Sequence, residues 1–185
     1  FVTNAVDVDT RLRERVGKYV LRRFKKDYLG NELPQKIEQT HEVQFSTDEA
    51  ADYLSIKNQE AAALVRLHGL KAFGLHPELK NAPNQNADLN AFSKTVELLR
   101  LLETIQSKGE KAIVFVMSRV AQGALRFGIQ TQFGINVSII NGDNNSPAQV
   151  KDKLGGFKTT EGFAVIILST LAAGVGLTIT EANHV

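Results

Sequence analysis

The stretch Phe163–Asn183, FAVIILSTLAAGVGLTITEAN, constrains the fold of this chain more than any other. Phe163–Leu168 is an apolar run without charge, the pattern of a strand covered on both faces. Ser169 and Thr170 follow it directly, then Gly174, Gly176 and Thr178. Small hydroxyls and glycines just past a buried strand let a backbone come close to a phosphate. In open parallel sheets, ligands sit beyond the carboxyl ends of the strands. Two readings fit the segment by itself. One is phosphate binding by backbone N–H groups and hydroxyls beside a helix N-terminus. The other is a tight strand-to-helix turn whose glycines serve geometry alone.

Upstream, helix and strand patterns alternate. Phe92–Ser107 is amphipathic, with Val96, Leu99, Leu102 and Ile105 in register and Gly109 at its end. Ala112–Met117 reads as a buried strand, Arg119–Gln132 as a helix and Asn136–Ile140 as a second strand, with Asn141–Gly142 as its turn. Ser146 caps a helix that has Pro147 at its first position and runs to Gly155–Gly156. Strands separated by helices predict an α/β parallel sheet with right-handed crossovers. Before this region the pattern differs. Residues 10–29 read as a helix with Arg11, Arg15, Lys18, Arg22 and Lys25 on one face. Leu12, Val16, Tyr19, Val20 and Phe24 form a neighbouring face suited to packing. Lys36–Phe45 alternates like a strand. Ser46 and Glu49 form a capping box for a helix from Thr47, helical periodicity continues through Ala61–Phe73, and Asn81–Asn90 reads as a loop.

Composition narrows the function classes. At 185 residues the chain holds one ordinary domain or a small one with an appendage. With no cysteine it has neither disulfides nor thiolate metal ligands, and its four histidines lack metal-ligand spacing. No apolar run approaches the ~20 residues of a membrane span. No secretory signal opens it. The start at Phe1 and the stop at Val185 read as the bounds of a piece cut from a longer protein. Residues 11–26 hold eight Lys or Arg against one Glu, so the net charge of +2 conceals a basic segment. That segment suits a solvated face, an amphipathic partner or membrane-surface helix, or contact with a polyanion. Arg22, Arg23 and Lys25 are its candidate basic contacts.

Three strand exits on one sheet edge offer small polar or glycine-rich turns. Ser118 and Arg119 follow the first strand, Asn141–Gly142–Asp143 the second, and Ser169 and Thr170 the third. Individually each reads as well as a helix cap or a plain turn. Together they suit a ligand that runs along the edge, such as a nucleic-acid backbone. There is no GxxxxGK[ST] phosphate loop, no acidic pair for magnesium at a strand end, and no Ser-His-Asp or Cys-His set.

Several of these segments, in order, resemble the second half of the Swi/Snf-type ATPase motor, a helicase-related family of superfamily two. Leu21–Lys36, LRRFKKDYLGNELPQK, is similar to its LRR-x-K…LP-x-K signature, and Ala50–Tyr53 sits where the family has a Q-x-x-x-Y-like helix. Leu70–Leu79 with His76–Pro77 resembles its LR…HP-x-L segment, and Ser93–Lys94 its S-x-K helix start. Lys111–Ser118, KAIVFVMS, is similar to its K-[VI]-[LI]-[IV]-F-S strand, and Ile140–Gly142 matches its hydrophobic-x-G turn. Ser169–Asn183 resembles its S-T-x-A-G-G-x-G-L-N-[LI]-T-x-A-N block.

The resemblance implies a RecA-like (P-loop NTPase-type) second lobe, truncated over 91–185. A helical region at 46–90 and a basic helix with a linker strand at 1–45 would precede it. Ser118, Arg119, Gly142, Ser169, Thr170 and Gly174 would lie on the backbone track of double-stranded DNA. Gly176 and Thr178 would shape the turn on the interlobe ATP side. ATP and Mg²⁺ are implied for the full-length protein, with the N-terminal RecA-like lobe as intramolecular partner and no membrane. No catalytic residue is expected here, because the family's arginine-finger motif would follow Val185 and the Walker lysine belongs to the first lobe. Such arginines are worth roughly 10³–10⁵ in rate. The implied setting is intracellular, a bacterial cytoplasm or nucleoid, or a nucleus in a eukaryote. Departures include Thr178 where the family has Asn, Ala173 where it often has Gly, and Gln149 where it often has Arg. A strand-separating helicase and a non-catalytic interaction module are the rival readings. A Rossmann-lobe nucleotide-sugar or dinucleotide enzyme lacks its GxGxxG.

Overall fold

In the computed structural model, the described residues are 5–20, 36–80, 87–142, 146–170 and 177–185. They fall into two units, Phe1–His41 and Glu42–Val185.

In the larger unit the sheet has three strands, β1 (Lys111–Phe115), β2 (Ser138–Ile140) and β3 (Ala164–Leu168), in the order β1-β3-β2. Both pairings are parallel, as the alternation of helix and strand predicts. The uncharged run becomes the central strand, and all five of its residues are buried. Its side chains alternate between two cores. Val165 and Ile167 join Leu99, Leu102 and Ile105 of α4 (Ser93–Ser107) and Leu125 and Ile129 of α5 (Arg119–Phe133). Ala164, Ile166 and Leu168 join Leu154 and Phe157 of α6 (Pro147–Thr159) on the other face. Helices thus cover both faces. Val96, expected on the buried stripe of α4, is 42% exposed. Met117, read as strand, lies past the end of β1 and is exposed.

Local signals explain several ends. α5 stops at Gly134, whose left-handed φ of 64° ends the helix cheaply. α6 starts on the Ser146–Gln149 capping box with Pro147 at N1, but continues past Gly155–Gly156 to Thr159. Two glycines cost a helix about 1 kcal/mol each, and burial of Leu154 and Phe157 outweighs that.

The glycines predict opposite outcomes for one substitution. A Cβ on Gly156 meets nothing within 4 Å, so Gly156→Ala should stabilise by about 0.5–1 kcal/mol. A Cβ on Gly128 of α5 would overlap Cγ and Cδ1 of the buried Leu89. Overpacking costs about 1–3 kcal/mol, more than the helix gain, so Gly128→Ala should destabilise. Urea unfolding of the two variants checks the signs.

Ahead of α4 in this unit lie α2 (Thr47–Lys57) and α3 (Ala63–Phe73). Their small core consists of Ile56, Phe73 and Phe92, with Tyr53 and Leu70 beside it. Phe73 meets Phe92 edge-on at 5.6 Å between centroids, and Phe45 meets Phe73 at 5.7 Å. His76 is buried among them, with Nε2 2.9 Å from the Asp88 carbonyl and Nδ1 accepting from the Glu78 amide, a structural role. The strand expected at Lys36–Phe45 does not form. Residues 36–46 lack regular structure, and Ile37 and Val43 are exposed. Alternation alone makes no strand without a partner edge.

In the smaller unit, α1 spans Ala5–Val16 and gives way at Gly17 to a turn. The helix expected over 10–29 therefore ends early in its described part, and Lys18 leaves the Arg11–Arg15 face. Leu12, Val16, Tyr19 and Val20 are exposed rather than packed. Phe24, Arg22, Arg23 and Lys25 lie outside the described residues.

Candidate nucleic-acid interface

Parallel pairing opens the three carboxyl ends on one rim, with Phe115, Leu168 and Ile140 side by side in register. Each strand leaves into its own turn, and hydrogen bonds tie the exits together. The Val116 N–H donates to the Leu168 carbonyl at 2.9 Å, linking the exits of β1 and β3. The Ser169 N–H donates to the Ile140 carbonyl at 2.9 Å, linking β3 to β2. Gln122 of α5, fully buried, closes the ring: Nε2 donates to the Val116 carbonyl at 2.6 Å and Oε1 accepts from Asn141 Nδ2 at 2.8 Å.

The predicted residues divide on this rim. Ser118 caps α5, accepting the Ala121 N–H at 3.3 Å, and a capping hydroxyl retains an O–H to donate. Arg119, at the first position of α5, is exposed. Gly142 is exposed, and a Cβ there meets nothing within 4 Å. Ser169 is buried and its amide is committed to the sheet, whereas Thr170 is exposed. Thr178 is exposed, while its neighbours Leu177 and Ile179 pack on the second core. Asp143, Ala173, Gly174 and Gly176 lie outside the described residues. Gln149 closes its capping box, accepting the Ser146 N–H at 2.9 Å. Downstream, the Ile113 N–H donates to the His184 carbonyl at 2.9 Å, and Ala112 and His184 form a parallel bridge along β1.

Gln122 escaped the sequence reading. The sequence reads Glu49 only as closing a capping box, which it does, but its carboxylate also accepts the Ser93 N–H and Ser93 hydroxyl, both at 2.6 Å. It also accepts the Ser46 N–H at 2.7 Å, so one side chain serves the N-termini of α2 and α4. Burial pushes its pKa up, but the bonds from Ser93 and Ser46 outweigh burial and hold it below the usual carboxylate value. The only local signal was S-x-x-E. Nothing in the spacing points to Ser93.

Among the described residues, no group of three or more His, Asp or Glu could hold a metal ion. Along the rim, the described residues offer an anionic ligand hydroxyls and amides. Among those residues, no helix is long and apolar enough to cross a membrane.

The profile of the helicase conserved C-terminal domain matches residues 91–185. Over 94% of its length the chain is 32% identical to the Zorya protein ZorD of Escherichia coli O139:H28, covering 18% of that protein. Over 95% it is 27% identical to YwqA of Bacillus subtilis, named as an ATP-dependent helicase/translocase, covering 20% of it. The chain thus spans about one fifth of these relatives. The Sulfolobus solfataricus SWI2/SNF2 ATPase core in complex with dsDNA shares the fold, with a TM-score of 0.66 and 23% identity over 95% of this chain and 40% of that one. The sheet is that of a RecA-like C-terminal lobe.

Proposed function

Because the chain belongs to the helicase conserved C-terminal domain family, in its Swi/Snf type, we propose that it is the second motor lobe of an ATP-dependent double-stranded DNA translocase. The observation that carries this reading is the rim itself: three parallel strand exits, hydrogen-bonded to one another, presenting Ser118, Gly142 and Thr170 along a single edge. A duplex backbone offers phosphates in a row, and hydroxyls, amides and Arg119 are suited to them. Contacts of this kind position the duplex and carry little sequence information. Similarity to a core solved with dsDNA and to a helicase/translocase supports the reading.

The sequence has no GxxxxGK[ST] loop, and among the described residues no cluster could hold a metal ion. In this reading the chain's part is to grip DNA and to close against the N-terminal lobe of the same protein. ATP and Mg²⁺ would be held chiefly by that lobe. Alternating closure and opening of the lobes then moves the grip along the duplex.

The test is ATPase activity of the full-length protein with and without duplex DNA across a salt series. Stimulation by duplex that weakens steeply with salt is the expected result. Residues 1–185 alone should neither hydrolyse ATP nor move on DNA. Activity indifferent to DNA, or strand displacement in place of translocation, would count against the proposal.

A further inference from the structure

We infer that Gln122 is a positioning residue that sets the turn after β2 against the exit of β1. The inference rests on reading the rim as a DNA-backbone track. β1 and β2 are not neighbours, because β3 lies between them. No backbone ladder joins their exits directly; each is tied to the other only through β3. β2 is short, at three residues, and among the described residues it pairs with β3 alone. Gln122 makes the direct link across the gap with both ends of its carboxamide: Nε2 to the Val116 carbonyl at 2.6 Å and Oε1 to Asn141 Nδ2 at 2.8 Å.

The chemistry supports positioning over filling. Gln122 is 0% exposed, and a buried carboxamide is costly unless its groups are paired. An apolar side chain of similar size would fill the space without that demand. What the carboxamide adds is direction, since it accepts only from a donor at Asn141 and donates only to an acceptor at Val116. Asn141 immediately precedes Gly142, the exposed residue assigned to the phosphate track. Gln122 touches no ligand in this scheme and acts through the turn.

The test uses the full-length protein and a 30-base-pair duplex as probe. The readout is the DNA concentration that gives half-maximal ATPase stimulation, beside the maximal rate. Gln122→Met should raise that concentration about tenfold, leaving DNA-free ATPase activity and the maximal rate near wild type; tenfold is 1.4 kcal/mol. Asn141→Ala cuts the same link from its half-buried end and should raise it similarly, so the inference does not depend on Gln122→Met folding. Gly142→Asp provides the double-mutant cycle. In its background Gln122→Met should add little, because both act through one turn. Additive effects, equal loss of maximal and DNA-free rates, or unchanged half-saturation in Gln122→Met and Asn141→Ala would overturn the inference. If those variants are silent while Gly142→Asp weakens DNA stimulation, only the positioning role falls. If Gly142→Asp is silent as well, the DNA track falls and the inference with it.

Discussion

Glu49→Ala should lower the stability of the 1–185 chain by about 2–4 kcal/mol, far more than removal of one exposed cap. An N-cap interaction is typically worth about 1 kcal/mol, and a hydrogen bond to a charged group about 1.5–3 kcal/mol. Glu49 accepts the Ser46 amide, the Ser93 amide and the Ser93 hydroxyl within 2.7 Å. Losing it strips the N-termini of α2 and α4 of an acceptor at once. Glu49→Gln is informative too, because its NH₂ would face an N–H donor on one side, so it should also destabilise. The sign with pH follows from the lowered carboxyl pKa. Its stabilisation is fully present above the ordinary value of 4.5 and is lost as pH falls through the lower folded value. Urea midpoints of wild type and Glu49→Gln should therefore converge as pH drops below about 4.5. A constant difference across that range would deny the carboxylate its role.

Gly142→Asp should raise the duplex concentration for half-maximal ATPase stimulation of the full-length protein at least tenfold. The site is exposed, its added Cβ meets nothing within 4 Å, and its φ is not left-handed, so the fold has room for the side chain. What changes is charge: a carboxylate would stand where a phosphate is to lie. Loss of about 1.4 kcal/mol of binding is tenfold, and repulsion adds to it at low salt. Thr170→Asp, at the neighbouring exit, should act in the same direction. DNA-free ATPase activity and nucleotide binding should change less than DNA coupling. Equal loss of both would place Gly142 in a general structural role.

Most of the α/β layer was legible from local chemistry. The uncharged run of β3, the amphipathic spacing of Leu99, Leu102 and Ile105 in α4 and the capping box before α6 each encode their element within a few residues. So does the parallel pairing of the strands, because helices between strands favour it. Failures came where structure depends on distant partners. Lys36–Phe45 alternates correctly but pairs with no strand among the described residues, and it stays irregular. The basic helix pattern runs through Gly17, where α1 has already ended. Glu49 and Ser93 are 44 residues apart, and only the fold brings them together. Gln122 reads as one more polar residue on α5 until the sheet order shows that β1 and β2 are separated by β3. Of the candidate site, the exits were legible and the hydrogen bonds joining them were not. Family resemblance supplied the polymeric ligand, which spacing alone could only suggest.

Photocrosslinking of the full-length protein to labelled duplex DNA tests the rim most directly. A photoreactive side chain would be placed in turn at Ser118, Gly142 and Thr170, where the strands leave the sheet. Controls at Lys108 and Glu161 stand where the chain approaches β1 and β3. Crosslinks from the first three positions, absent from the two controls and suppressed by salt, are the outcome that the proposed DNA track predicts. Crosslinks from the controls alone, or equally from both ends of the strands, would contradict it.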